Sequence, residues 1–259
     1  MNDHPTLNQL IQRITAKHSL HTWSLIVSHF GALVHAGQVY SSQTQLREVL
    51  SPLGIKDTAI RVALLRLVND GWLLREKRGR ESFYQFTAWA LQTSTTAANQ
   101  IFLSTQPVEC SSWQFALRTA VEPKLSQAEL LQSGFGKLGD IGLLRAHYDW
   151  RDACDNRLVV SDAITLSAPI VEEQVHQIWA IDKLSIDYQW FIDVFSAFAA
   201  LKHHLSYRLL LLHEYRRIVL KDPILPSSLV GDWSGEQARQ LLRSHYFQST
   251  AESNTAIAP

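Results

Sequence analysis

The sequence predicts an α+β protein of several domains: an N-terminal winged helix-turn-helix, a middle ferredoxin-like α+β sandwich and an all-helical C-terminal part. Three observations carry that prediction. Residues 55–84, IKDTAIRVALLRLVNDGWLLREKRGRESFY, read as a helix followed at once by a small basic hairpin. Between Trp113 and Leu166, short β-type runs alternate with one helical run. After Pro169 the apolar residues recur at helical spacing only.

The elements follow in order. Residues 1–18 predict a polar-faced helix with one weak stripe of Leu7, Leu10, Ile11 and Ile14. A second helix runs from about Ser24 to Val34 and ends near Gly37. Ser42-x-x-Gln45 is a capping box, because hydroxyl and amide can each satisfy a free backbone N–H. The helix it opens turns Leu46, Val49 and Leu50 inward, and Ser51-Pro52-Leu53-Gly54 turns the chain into the next. That helix, Thr58 to Asn69, carries Ile60, Ala63, Leu64, Leu67 and Val68 on one side. Thr58, Val62, Leu65, Arg66 and Asn69 lie on the opposite arc, with Arg61 at its flank. Asp57 or Thr58 can cap its start, and Asp70-Gly71 stops it. Strands Trp72 to Arg75 and Ser82 to Phe86 then flank a turn at Lys77-Arg78-Gly79-Arg80.

Helix, turn, helix and hairpin in this order is the layout of a winged helix, in which the last helix enters a DNA major groove and the hairpin tip touches phosphate. The segment Lys56 to Glu81 holds seven Lys/Arg against four acids, a local charge of +3. Candidate DNA contacts are Lys56, Thr58, Arg61, Val62, Leu65 and Arg66 on the helix, with Lys77, Arg78 and Arg80 on the hairpin. A solvated charge run on an ordinary hairpin would show the same basic turn; the helices in front of it favour DNA.

From Leu91 to Ser112 the composition shifts to Thr, Ser, Ala and Gln, which reads as a connector that could hold a helical piece. The middle part predicts a strand at Trp113 to Thr119, a helix at Gln127 to Gln132, two strands between Gly134 and His147, and short β runs at Arg157 to Val160 and Ala163 to Leu166. Beyond it, Val171, Val175, Ile178 and Trp179 form one helical stripe. Phe191, Val194, Phe195, Phe198 and Leu201 form another. Leu205 to Leu220 is apolar nearly all round and belongs in the middle of a bundle or at a subunit contact. Asp222-Pro223 ends it, and Ser234-x-x-Gln237 should cap a last helix through Phe247. The expected domains are 1–92, a linker 93–112, 113–168 and 169–259.

Composition narrows the function. With 46% apolar and 19% charged residues in 259, the chain is globular, and its formal net charge of zero confines any nucleic-acid binding to a local patch. Cys110 and Cys154 form no paired motif, and no apolar run approaches a membrane span. A cytoplasmic protein without membrane attachment is expected. Gly134-Phe135-Gly136-Lys137-Leu138-Gly139 matches G-x-G-x-x-G, but a helix precedes it and a strand follows, the reverse of a dinucleotide site. It reads as a helix end and a turn. The eleven histidines show no metal-ligand spacing. No catalytic residue, metal site or cofactor is predicted. Arg208, Arg216, Arg217 and Lys221 crowd one helix beside His213 and Tyr215, with Tyr188 and Trp179 elsewhere in the helical part; Trp179, Tyr188, His213, Arg216, Arg217 and Lys221 are singled out. They are candidates for a ligand cleft, or for cations at an ordinary helix C-terminus.

Read together, these segments resemble the PaaX family of transcriptional repressors of phenylacetic-acid catabolism. The resemblance rests on IRVALLRLVNDGWL, the hairpin segment GRESFY, the GFG at Gly134 to Gly136, and above all HEYRRIVLKDPILP (His213 to Pro226) with the following GDW and ARQLL. It runs from about Leu20 to Tyr246. It implies a winged helix, a ferredoxin-like (Cas2-like) middle domain and a helical C-terminal domain. It also implies a homodimer bound to a palindromic double-stranded operator and released by an aryl-CoA thioester, chiefly phenylacetyl-CoA. The resemblance puts Arg61, Arg66, Arg78 and Arg80 on DNA, and places Arg216, Arg217, Lys221 and Asp222 in a C-terminal motif. A regulator answering another acyl-CoA or aromatic ligand, an acyl-CoA enzyme and a Cas2-like nuclease are the rival readings. For a nuclease, no acidic pair ends the Trp113 strand, where Arg118 and Thr119 stand instead.

Overall fold

The computed structural model describes residues 5–103, 107, 109–110, 112–126, 129–130, 133–148, 156–166, 170–179 and 181–246. Packing divides the chain into two units. The first takes in segments 1–98, 191–216 and 240–259, the second 99–190 and 217–239. The fold is mixed α+β with two small antiparallel sheets.

The first unit begins with α1 (Leu7–Thr15), opened by a Thr6–Gln9 capping box, and α2 (Thr22–His35). Strand β1 (Ser41–Ser42) leads into α3 (Gln43–Leu50), where Ser42 and Gln45 form the expected reciprocal cap. After a 3-10 turn at Ser51–Leu53, Gly54 takes φ 77°, a left-handed value that suits glycine, and the chain enters α4 (Asp57–Asn69). Strands β2 (Leu73–Arg78) and β3 (Glu81–Phe86) form a hairpin, and β1 adds to β3, giving the order β1-β3-β2. Ile60, Ala63, Leu64 and Leu67 of α4 are buried together with Leu25, Ile26 and Phe30 of α2, Leu46 and Leu50 of α3, and Phe86 of β3. The Phe30 and Phe86 rings lie 5.5 Å apart. Burying these side chains supplies the main attraction that holds α4 in place.

Two local expectations change. Lys77 and Arg78 belong to β2, because Arg78 pairs with Glu81 and Lys77 with Ser82. The turn shrinks to Gly79-Arg80, and the φ of 61° at Gly79 is that of a type II′ hairpin. The stretch expected as connector begins with α5 (Ala88–Ile101). Its composition misleads because Thr93, Thr95 and Thr96 return their hydroxyls to carbonyls four residues back, at 2.9, 2.9 and 3.2 Å, and so stay helical. Thr87 caps the start through the Ala90 N–H at 3.2 Å.

His29 of α2 pairs its Nε2 with the Ser41 hydroxyl at 3.0 Å, and burial lowers its pKa to about 4 from 6.5. The unfolded chain therefore binds more protons between those values. Stability is full above about 6.5 and is lost as pH falls towards 4, by roughly 3 kcal/mol at most. Urea unfolding of His29→Gln across this window should show a flatter pH dependence than the parent; an identical slope would rule His29 out as the cause.

In the second unit, β4 (Trp113–Arg118), β5 (Gly136–Leu138), β6 (Gly142–Ala146) and β7 (Leu158–Val160) form an antiparallel sheet in the order β5-β6-β4-β7. Ala163 to Leu166 does not form the expected run: Ile164 alone bridges to Trp113. Of the expected 127–132 helix, residues 129–130 are helical; 127–128 and 131–132, like Cys154, lie outside the described residues. The glycine motif is a turn into a strand, with Gly134 at φ 77° and Gly139 at φ 65°. Gly136 is there for closeness, since a Cβ would lie 2.5 Å from Ile178 Cγ2.

Ile178 sits on α6 (Glu172–Trp179), followed by α7 (Asp182–Ala197), α8 (Leu205–Val219), α9 (Ser227–Val230) and α10 (Ser234–Tyr246). Val171 precedes α6 and is exposed, whereas Val175, Ile178 and Trp179 are buried. Ser206 to Tyr215 of α8 are buried without interruption, as its all-round apolar pattern requires. The expected Ser234–Gln237 cap does not form: Ser234 lies inside α10, and the Gln237 amide donates to Asp232 at 3.2 Å.

Candidate nucleic-acid interface

Helix α4 and the β2–β3 hairpin present every residue that the sequence nominates for DNA. Lys56, Thr58, Arg61, Val62, Leu65 and Arg66 are all exposed on α4 or at its start, and Lys77, Arg78 and Arg80 are exposed on the hairpin. Val62 and Leu65, at 68% and 62% exposure, are large apolar side chains left in water on a helix whose other face is fully packed. Such residues on a groove-facing helix can meet thymine methyl groups.

Asp57 does not cap α4. Lys56 occupies the N-cap, and the Asp57 carboxylate lies in the first turn, where the helix dipole favours a negative charge. Arg47 Nη2 reaches it at 2.9 Å and Arg61 Nη2 at 2.6 Å. The hydrogen bond from Arg47, before the charge of Arg61, holds this carboxyl below the usual range. Arg66 Nε similarly meets Asp70 at 3.3 Å, and its guanidinium lies 5.6 Å from the centre of the Trp23 ring. Exposed pairs of this kind are worth about 0–1 kcal/mol, so a phosphate can displace them at little cost.

The hairpin is more rigidly furnished. Arg78 donates twice to Glu76, at 3.0 and 2.8 Å, and its guanidinium lies 4.4 Å from the Tyr40 ring centre and 4.9 Å from that of Phe83. Arg75 grips the Ser82 hydroxyl across the strands at 2.8 Å. Hydrogen bonds from Ser42 and Thr44 hold the Glu81 carboxyl below its usual range and tie the hairpin to the start of α3. Lys77 and Arg80 have no ion-pair partner among the described residues, so their charges are available. Trp23 and Tyr40 escape sequence reasoning as part of this surface. A lone aromatic outside an amphipathic stripe gives no sign that it will lie against an arginine 38 or 43 residues later in the chain.

The six residues nominated for a ligand do not form one open set. Trp179 is fully buried: its indole donates to the Gly134 carbonyl at 3.1 Å and its ring lies 5.8 Å from that of Trp113. Tyr188, also fully buried, donates to the Asp222 carboxylate at 2.7 Å. His213 is buried with its Nδ1 2.9 Å from the Ser28 hydroxyl. Arg216 donates to that same hydroxyl at 2.7 Å, and burial lowers its pKa. These four side chains join α2, α6, α7 and α8 to their neighbours instead of lining a cleft. Arg217 is half-buried and Lys221 exposed. His213 and Arg216 fall in the first unit; Trp179, Tyr188, Arg217 and Lys221 fall in the second. Among the described residues no group of three His, Cys, Asp or Glu is placed to hold a metal ion, and no helix is long and apolar enough to cross a membrane.

Comparison with known proteins accords with this arrangement. A family model described as PaaX-like protein matches residues 21–90, which span α2 to the hairpin. A second, described as PaaX-like protein C-terminal domain, matches residues 179–258. The Transcriptional repressor PaaX of Escherichia coli K12 is 29% identical over 253 residues, covering 86% of this chain and 78% of that protein. Among solved structures, an uncharacterized protein of Mycobacterium tuberculosis, Rv0674, superposes with a TM-score of 0.59 over 92% of this chain and 99% of its own; at 20% identity it shows the fold alone. With both ends matched by models of one family and a relative aligned along most of the length between, the chain belongs to the PaaX family.

Proposed function

We propose that this chain is a DNA-binding transcriptional repressor, not an enzyme, and that its first ninety or so residues are a winged helix. One observation carries the reading. The α4 face opposite the core is wholly exposed, holds Arg61 and Arg66 with Val62 and Leu65, and is followed by a hairpin tipped with Lys77, Arg78 and Arg80. In this reading α4 reads base edges in the major groove, and the hairpin fixes register on phosphate. The name of the Escherichia coli relative supports the repressor role.

In the second unit the strands run 4-1-3-2 counted within the sheet, an order shared with ferredoxin-like (Cas2-like) domains, which supports assigning residues 113–168 to one. Residues 169–259 would form the helical domain for dimerisation and effector binding. A homodimer would set two copies of α4 into major grooves about 34 Å apart, or a multiple of that, on a palindromic operator. An aryl-CoA thioester such as phenylacetyl-CoA would release it, with Arg217 and Lys221 offered to the phosphates. The effector can weaken operator binding only by the ratio of its affinities for the free and bound forms.

A gel-shift with the DNA upstream of its own gene tests this directly. The protein should retard that probe in preference to unrelated DNA, and phenylacetyl-CoA should reverse the shift. Equal retardation of both probes would refute the repressor reading. Specific retardation that persists with phenylacetyl-CoA would keep the repressor and reject the effector.

A further inference from the structure

A cavity of about 250 Å3 lies within the first unit, between α2, the end of α3 and the first half of α8. Leu33, Val49, Leu205, Leu209 and Leu212 give it apolar walls, and Arg208 lines it beside Tyr246. Arg208 is only 9% exposed. Its Nη2 donates to the Tyr246 carbonyl at 3.2 Å and its guanidinium lies 5.0 Å from the centre of the Tyr246 ring. Nε is buried without an acceptor, and no carboxylate among the described residues pairs with the group. His29, on the same wall, has its Nε2 committed to Ser41. A guanidinium stays protonated even where burial opposes its charge, so the cavity contains a fixed positive charge with no carboxylate partner among the described residues.

We propose that this cavity binds a small apolar monocarboxylate, with its carboxylate against Arg208 and its body against the leucines. The chemistry and the size both select that class. One negative charge balances one guanidinium, whereas a phosphate ester would bring surplus charge among apolar walls. The volume, just below the usual range of about 300–1,000 Å3 for ligand pockets, admits an acid of benzoate size and has no room within it for the nucleotide of a thioester. The walls also touch the elements that carry α4: the Ser206 hydroxyl donates to the Val49 carbonyl at 2.7 Å, linking α8 to α3. The site is separate from the thioester reading and does not depend on DNA binding.

Isothermal titration of the full-length protein with benzoate and hexanoate, against benzamide and hexanamide, tests it. At least one acid should bind saturably at one site per chain, and its amide at least about tenfold more weakly. Arg208→Met, which keeps the stem and removes the charge, should lose that preference. Ala32 of α2 also lines the cavity; Ala32→Phe, which fills it and leaves Arg208 in place, should abolish binding of the acid. The proposal is overturned if neither acid binds, if acid and amide bind alike, or if Ala32→Phe binds the acid as the parent does. Should Arg208→Met fail to fold by circular dichroism, the amide comparison and Ala32→Phe decide.

Discussion

Replacing Arg78 and Arg80 together with alanine is expected to weaken binding to every DNA sequence tested and to reduce the salt slope of log K by about two. The loss is sequence-independent because a hairpin tip meets phosphate and sugar, which carry no base information. At a salt concentration near physiological it should amount to about ten- to a hundredfold in affinity. The two arginines act differently. Arg80 has no ion-pair partner among the described residues, so Arg80→Ala alone should leave the fold intact and remove about one unit of slope. Arg78 is paired with Glu76 and held against Tyr40 and Phe83. Its removal also leaves the Glu76 charge uncompensated at the DNA surface, so the Arg78 effect should exceed that of Arg80. Binding measured from low to moderate salt by fluorescence anisotropy gives both numbers. A folded double variant with the parental slope would take the hairpin out of the interface.

Asp222→Ala should be the most damaging single change in the second unit, at about 2–4 kcal/mol. The sequence sets Asp222 in the KDP run after α8 without saying what it does. In the fold its carboxylate accepts the Tyr188 hydroxyl at 2.7 Å and the Ile224 N–H at 2.7 Å, all three groups being buried. Its carbonyl accepts Gln100 Nε2 at 2.8 Å, and the same amide also donates to the Val219 carbonyl. Ile224 has φ 53°, a conformation that a β-branched residue adopts only under constraint, and the Asp222 carboxylate helps supply it. Alanine would remove the acceptor that a buried hydroxyl and a buried N–H both use. Asp222→Asn keeps one acceptor and should lose less. Urea denaturation followed by tryptophan fluorescence reads the difference; a loss below about 0.5 kcal/mol would mean that water replaces the carboxylate.

Local signals carried much of the first unit. Ser42 and Gln45 announce a helix start because both halves of the cap lie within four residues, and the period of Ile60, Leu64 and Leu67 tells which side of α4 faces the core. The same period exposes Arg61, Val62, Leu65 and Arg66. Local signals failed where a side chain had a better distant partner. Asp57 reads as a cap, but Arg47, ten residues away, takes its carboxylate. Gln237 reads as half of a capping box and turns to Asp232. The threonines of α5 read as loop because their hydroxyl bonds to the preceding turn leave no trace in composition.

By itself, the order of residues determined the class of fold, the two faces of α4, the basic hairpin and the family, because each depends on spacing along a few turns or on a long shared motif. Only the tertiary structure decided that Trp179, Tyr188 and His213 are packed and hydrogen-bonded inside the protein, that Asp222 closes the turn after α8, and that Arg208 stands in an apolar cavity. Those outcomes depend on which groups from distant segments meet. Burial then gives each meeting its weight, since a polar group removed from water must find a partner and a charge without one invites a ligand.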